Sequence, residues 1–208
     1  MKPLLVRNLG RTNLSEVYEA MRRFTEKRNQ ETPDEIWMTE HHSVYTVGLA
    51  GRDQHLPRGA SAAAIPIERL DRGGQITYHG HGQAIAYVLL QLAGRSLSVR
   101  QLVHSLEQAV IDILASYNLE GTRRPGAPGI YVSGAKVAAL GLRVRHGCTY
   151  HGLALNIDMD LTPFSAIDPC GYPGLRVTQL RELGVEEDFD RVSESLSRAV
   201  ATRLRKAR

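Results

Sequence analysis

The chain has 208 residues, 42% of them hydrophobic and 23% charged, which suits one globular domain over residues 1–208 with an apolar core. A formal net charge of +4 is mild, and no basic run is interleaved with aromatics, which argues against a nucleic-acid surface. No apolar stretch is long enough for a membrane span, and MKPLLVRNLG has too short an apolar run before Arg7 for a signal peptide, so the expected location is cytoplasmic.

In chain order, Asn13 is a plausible helix start. Glu16 stands at the third helical position, and Leu14, Val17, Met21 and Phe24 share one face. DEIWMTEH and SVYTVG read as short strands, followed by a loop through GRDQHLPRGA. IPIERLD, GGQITYHG and QAIAYVLLQL read as further strands, the last of them buried on both faces. Ser98 with Gln101 makes a capping box, and Val99, Leu102, Val103, Leu106, Val110, Ile113 and Leu114 trace a helical stripe behind it. GIYV, AKVAALGLRVR and TYHGLALNID are strand-like runs broken by glycine. After a Pro/Gly-rich loop, TQLRELG begins a short helix, and Phe189, Val192, Leu196 and Val200 mark a terminal one. The basic end, RAVATRLRKAR, suits the dipole of a final helical turn; docking of an acidic partner is the sharper reading. Helices and strands mix without strict alternation, which predicts an α/β fold with a mixed β-sheet and flanking helices.

Four features carry candidate chemistry. Arg72–Gly82, RGGQITYHGHG, matches neither a phosphate loop nor a dinucleotide fingerprint, but its paired glycines strip side chains from a strand-like run and would admit a narrow ligand against backbone. His79 and His81 would point the same way on a strand, a geometry that can hold zinc with His151 or Cys170. No compact third ligand is evident, so no metal is expected. Cys148 reads as a small packed hydrophobe and Cys170 as a presented thiol, held between Pro169 and Gly171 in DPCGYPG. In a reducing compartment the two are not expected to pair. A nucleophilic thiol needs a partner that favours the thiolate: His79, His151 or Lys136, the one charge in GAKVAALGL, would serve, and local chemistry does not choose among them.

Together these stretches resemble the lipoyl(octanoyl) transferases of lipoate biosynthesis. The matching segments are RGGQITYHG, the Gly126–Val144 region, and HGLALNIDMDLTPFSAIDPCGYPG. The resemblance implies a fold like the biotin and lipoate protein ligase catalytic domains. It also implies transfer of an octanoyl group from octanoyl-acyl carrier protein to a lysine of a lipoyl domain, without a cofactor. The acceptors it implies are the lipoyl domains of 2-oxo acid dehydrogenase acyltransferase subunits and the glycine cleavage H protein. By the same resemblance, Cys170 matches the acyl-thioester cysteine and Lys136 the lysine that lowers its pKa. Arg72, Gly73, Gly74, Gln75, Ile76, Thr77, Tyr78 and His79 match one substrate-binding segment; Ala139, Leu140 and Gly141 match a second, and Gly152, Leu153 and Ala154 a third. The chain departs from the family at His81, where HGPGQ is common, and at Ala139, where serine is common.

The mechanism implied is a Cys170 thiolate, stabilised by the Lys136 ammonium, attacking the octanoyl carbonyl, with Lys136 or His79 as the base in the second half-reaction. Ile76, Tyr78, Leu140 and Leu153 are the expected walls of an acyl tunnel. Arg145 or the C-terminal cluster would steer an acidic carrier. An ATP-dependent ligase on the same fold and a non-catalytic carrier-binding module are the rival readings, and a monomer is the default.

Overall fold

The computed structural model describes residues 3–57, 64–169, 172 and 174–206. A seven-stranded sheet runs in the order β1-β2-β6-β10-β9-β8-β7 and a three-stranded sheet in the order β4-β3-β5. The strands of the large sheet are β1 (Leu4–Thr12), β2 (Asp34–His41), β6 (Gln83–Leu89), β7 (Thr122–Arg123), β8 (Gly129–Val132), β9 (Ala135–Arg145) and β10 (Cys148–Asn156). Those of the small sheet are β3 (Val44–Val47), β4 (Ile67–Arg69) and β5 (Ile76–His79). Among the described strand pairs only β1–β2 and β3–β4 are parallel, so both sheets are mixed, as the unalternating element order predicts.

Helices α1 (Leu14–Glu26), α2 (Val99–Ser116) and α3 (Phe189–Lys206) flank the large sheet. Side-chain alternation on β6 decides which helix sees which residue. Ala84, Ala86 and Val88 join Leu106 of α2 and Leu196 of α3 in one core. Ile85, Tyr87 and Leu89 join Val17 and Met21 of α1 in another. A strand covered on both faces reads as an unbroken apolar run, which is how QAIAYVLLQL stands out. A third core under the small sheet gathers Tyr45, Val47, Ile76, Tyr78 and Phe164. At the start of α2 the capping box is formed as read: Gln101 N–H donates to Ser98 Oγ at 3.2 Å and Ser98 N–H to Gln101 Oε1 at 2.9 Å.

Three expectations change. Strand β1 has no counterpart in the sequence reading, because it is an edge strand that leaves Leu5 and Val6 in water and shows no alternation. TQLRELG makes only the single 3-10 turn Arg181–Leu183, stopped by Gly184 at φ 85°. The stretch from Asp71 to Gln75 is a bend that precedes β5, so the paired glycines are not strand residues. Gly73 N–H donates to Leu142 O at 2.9 Å, and a Cβ on Gly141 would stand 2.8 Å from Gly73 O. The missing side chains let this bend close against β9.

One buried ion cluster ties the layers together. Asp34, at the start of β2, is fully buried; its Oδ1 accepts from Arg28 Nη2 at 2.5 Å and Gln91 N–H at 2.9 Å, and its Oδ2 accepts from Arg95 Nε at 2.5 Å. Arg95 reaches on to the Leu204 carbonyl of α3. Among the described residues, no helix is long and apolar enough to cross a membrane.

Candidate active site

Two of the three segments singled out above are neighbours in the sheet. Ala139, Leu140 and Gly141 on β9 pair with Ala154, Leu153 and Gly152 on β10, and the Arg72–His79 bend and strand lies across them. Between these layers is a cavity of about 550 Å³, counting the part open to solvent. Arg72, Gly74, Gln75, Ile76, Thr77, His79, Ala139, Leu140, Gly141, Gly152, Leu153 and Ala154 all line it. Gly152 has to be glycine for the sheet to close, since a Cβ there would overlap the Ala86 carbonyl of β6.

Two residues of the first segment lie elsewhere. Tyr78, expected as a tunnel wall, points by strand alternation into the small-sheet core, 5.5 Å from both the Tyr45 and Phe164 rings. Gly73 is absent from the lining and sits against β9. Four lining residues fall outside every predicted segment and were read only as core: Leu14 of α1, Leu70, and Ile85 and Tyr87 of β6. Their apolar spacing carried no sign of a cavity.

Three of the aromatic polar residues in the lining, His79, Tyr87 and His151, are engaged with other protein groups. His79 is buried, with Nδ1–H on Gln83 Oε1 at 2.6 Å and Nε2 at 3.4 Å from Thr46 Oγ1. Tyr87 O–H bonds His41 Nε2 at 2.7 Å. His151 also lines the cavity, where it stacks on Tyr18 and places Nε2 at 3.3 Å from Asp71 Oδ1. Tyr150 donates to the other Asp71 oxygen, so consecutive residues of β10 reach the same carboxylate. The break in alternation comes from His151, which takes φ 62°, a left-handed conformation that non-glycine residues rarely adopt.

Burial sets the charge state of this wall. It pushes the His79 imidazole down to about 3 and the neighbouring His41 down to about 4, and it also lowers His151 against the pull of Asp71. For Asp71 burial acts upward, but hydrogen bonds from His151, Tyr150 and Tyr18 outweigh it and hold the carboxyl well below its usual range. The imidazoles are therefore neutral at pH 7. The sign of the pH dependence follows: below pH 6.5 the unfolded chain takes up protons that folded His41 and His79 refuse. Stability is complete above pH 6.5 and falls as the pH drops towards 4, by about 1.4 kcal/mol per pH unit for each imidazole. Melting temperatures recorded from pH 7.5 to 4.5 should show this slope, and His41→Gln should flatten it; parallel curves would count against a neutral buried His41.

Lys136, the second residue of β9, is 3% exposed. It does not snorkel to solvent: Nζ donates to Pro128 O at 3.0 Å and stands 5.2 Å from the Tyr131 ring centroid. Its backbone holds the segment that follows the cysteine loop, donating to Arg176 O at 2.8 Å and accepting from Thr178 N–H at 2.9 Å. Cys170 itself lies outside the described residues. On its two sides, Asp168 pairs with His55 at 3.0 Å, and Tyr172 O–H reaches Gly126 O at 3.3 Å. Cys148 is buried in β10 as a free thiol, matching its reading as a packed hydrophobe.

His79 and His81 do not share a face, because β5 ends at His79. His81 follows in the turn, largely exposed, against Glu40 and Arg11. Among the described residues no three His, Cys, Asp or Glu side chains are grouped to hold a metal. Two of the proposed steering cations are already engaged: Arg145 pairs with Glu26 at 2.9 Å and Arg203 with Asp112 at 2.6 Å.

Comparison with known proteins places this geometry. The lipoyl protein ligase A/B catalytic domain matches residues 14–201. An octanoyltransferase of Thiobacillus denitrificans is 56% identical over 201 residues, covering 95% of this chain and 91% of that protein. One of Dechloromonas aromatica is 50% identical over 202 residues, covering 97% of each. In three dimensions, lipoate-protein ligase A bound with ATP matches with a TM-score of 0.80 at 15% identity, over 99% of this chain and 86% of that one. A biotin protein ligase from Aquifex aeolicus matches at 0.57 and 14% identity, over 99% of this chain and 70% of that one. The ligases share the fold alone, whereas relatives alike along nearly their whole length are octanoyltransferases. The chain belongs to the lipoyl protein ligase A/B catalytic-domain family, and within it to the octanoyltransferases.

Proposed function

We propose that this protein moves an octanoyl group from octanoyl-acyl carrier protein to a lysine of lipoyl domains through a thioester on Cys170. The acceptors are the lipoyl domains of 2-oxo acid dehydrogenase acyltransferase subunits and the glycine cleavage H protein, and the whole reaction runs on one cytoplasmic domain. The observation that carries the reading is the joining of the three glycine-bearing segments around one cavity, with Lys136 buried on the same strand and bonded to the chain just after the cysteine loop.

The steps balance without ATP. The Cys170 thiolate, beside the Lys136 ammonium, attacks the thioester carbonyl; the new C–S bond forms as the carrier C–S bond breaks. The departing carrier thiolate takes the Lys136 proton and leaves as a thiol, with neutral Lys136 beside the acyl-enzyme. The incoming amine attacks the Cys170 thioester and gives its surplus proton to Lys136, which again faces a thiolate. His79 is the poorer base, because it is buried, engaged on both nitrogens and pushed down to about 3. The acyl tail lies in the cavity, where each buried methylene contributes about 0.8 kcal/mol.

The test is incubation with octanoyl-acyl carrier protein in the absence of ATP, followed by intact mass. The expected result is one octanoyl adduct on the wild type and none on Cys170→Ser. No adduct at all, or an equal adduct on the serine variant, would sink the reading and favour a carrier-binding module.

A further inference from the structure

A second hollow adjoins the acyl cavity. It shares Gly74, Gln75, Leu140 and Gly141 with the first and continues past Val103, Pro128 and Tyr172, with an empty volume of about 1160 Å³ counting the part open to solvent. Its lining includes Pro128, whose carbonyl accepts from Lys136 Nζ, and Tyr172, which follows Cys170 by two positions in the sequence. Its walls leave apolar groups in water, with Val99 41% and Tyr172 45% exposed. Gln75 lines both hollows, and its side-chain Oε1 is a buried amide oxygen with no hydrogen-bond partner. A buried acceptor left without a donor is destabilising, so the site favours a ligand that brings an N–H there.

We propose that this second hollow takes the pantetheine arm of the donor, and that Gln75 Oε1 accepts a hydrogen bond from the amide nearest the thioester sulfur. The inference rests on the thioester-transfer reading above. With the acyl tail in the first cavity and its carbonyl beside Lys136, the sulfur lies at the junction and the arm leaves through the second hollow. That arm carries an amide N–H two methylenes from the sulfur, within reach of the junction, then apolar methylenes and a dimethyl carbon that suit Val99, Val103, Ala127 and Pro128. The acceptor lysine has four methylenes and no amide close to its reacting atom, so it leaves Gln75 unanswered. The arm ends in a phosphate, and Arg100 and Arg124 belong to the segments that form the hollow, beside Val99 on α2 and just before Gly126.

Loading of the full chain, followed by intact mass, tests this with three small donors: octanoyl-pantetheine, S-octanoyl-N-acetylcysteamine, which keeps the first amide, and S-pentyl thiooctanoate, which replaces it with hydrocarbon. The wild type should load the amide-bearing donors at least tenfold more efficiently in kcat/KM than the pentyl thioester. In Gln75→Leu that preference should collapse towards one. Val103→Asp should raise KM for octanoyl-pantetheine more than for the shorter N-acetylcysteamine thioester. Equal loading of all three donors by the wild type, or a preference that survives in Gln75→Leu, would overturn the inference while leaving the transferase reading intact. A Gln75→Leu defect confined to transfer from loaded enzyme to acceptor would also overturn it, and would assign the hollow to the lysine. Loading from none of these donors, nor from octanoyl-acyl carrier protein, would take both readings down together.

Discussion

Lys136→Met should leave a folded protein that forms the acyl-enzyme at least about 100-fold more slowly than wild type, the usual scale for removing a positioned acid–base group. Methionine keeps the length and the apolar stem of lysine. The backbone bonds from residue 136 to Arg176 and Thr178 do not depend on the side chain, so β9 and the segment after the cysteine loop should stay joined. What is lost is one buried ammonium and its bond to Pro128 O. On the proposed mechanism that cation is the counter-charge of the Cys170 thiolate, so in Lys136→Met the thiol should titrate at a higher pH than in wild type. Lys136→Arg separates the two roles assigned to this residue. A guanidinium keeps the charge but does not give up its proton, so the thiolate and the first half-reaction should survive better than transfer to the acceptor amine. Thiol titration by absorbance, with single-turnover measurements of each half-reaction, reads all three expectations. An unchanged thiol pKa in Lys136→Met would remove Lys136 from the first step.

The apolar architecture is largely legible in the sequence. Strand β6 announces itself because both faces are covered, and α2 because its cap and stripe agree. Strand β1 could not be read, since an edge strand with exposed Leu5 and Val6 follows no burial pattern. The site divides in the same way. Paired glycines and a lysine in an apolar run are local signals, and they brought forward Arg72–Gly82 and Lys136, whereas Ala139–Gly141 and Gly152–Ala154 came only with the family resemblance. Leu14, Leu70, Ile85 and Tyr87 become cavity walls only through packing between distant segments, and nothing within a few residues of each distinguishes them from core. The pairing of His151 with Asp71 was hidden for a related reason: it depends on a backbone φ of 62° that turns the histidine onto the side of Tyr150. His79 and His151 looked like candidate ligands or bases because their local sequence does not reveal that Gln83 and Asp71 already engage them.

That occupation suits the cargo. An octanoyl chain is uncharged, and a charged or unsatisfied wall would compete for water with every methylene buried. His79, His151 and Tyr87 contribute volume and ring surface while their nitrogens and hydroxyl bond other protein groups. The arrangement makes Gln75 conspicuous: its buried amide oxygen is left unanswered at the place where acyl tail and donor arm would meet. On the proposed reading, the satisfied wall holds hydrocarbon and the unsatisfied Gln75, which lines both hollows, meets the donor.

The largest loss of stability from a single side chain outside this site is expected at Asp34. Its carboxylate sits between two buried guanidiniums, with Arg28 3% and Arg95 1% exposed in their side chains. It also accepts the Gln91 N–H just past β6, and Arg95 continues to the end of α3, so one side chain joins β2, β6 and the terminal helix. Asp34→Ala leaves two cations in the interior without their counter-charge, a change that typically costs about 3–5 kcal/mol. Against a total of about 5–15 kcal/mol for an ordinary domain, that removes a large share of the stability. The exposed pair Arg198–Glu194 is the control, because its side chains are 73% and 60% exposed and water already solvates both charges. Glu194→Ala should therefore shift stability by no more than about 0.5 kcal/mol. Urea unfolding of the two variants beside wild type compares them directly. If Asp34→Ala moved the midpoint no further than Glu194→Ala, the guanidiniums would have to be reaching solvent in the variant, and the cluster would not be what ties the terminal helix to the sheet.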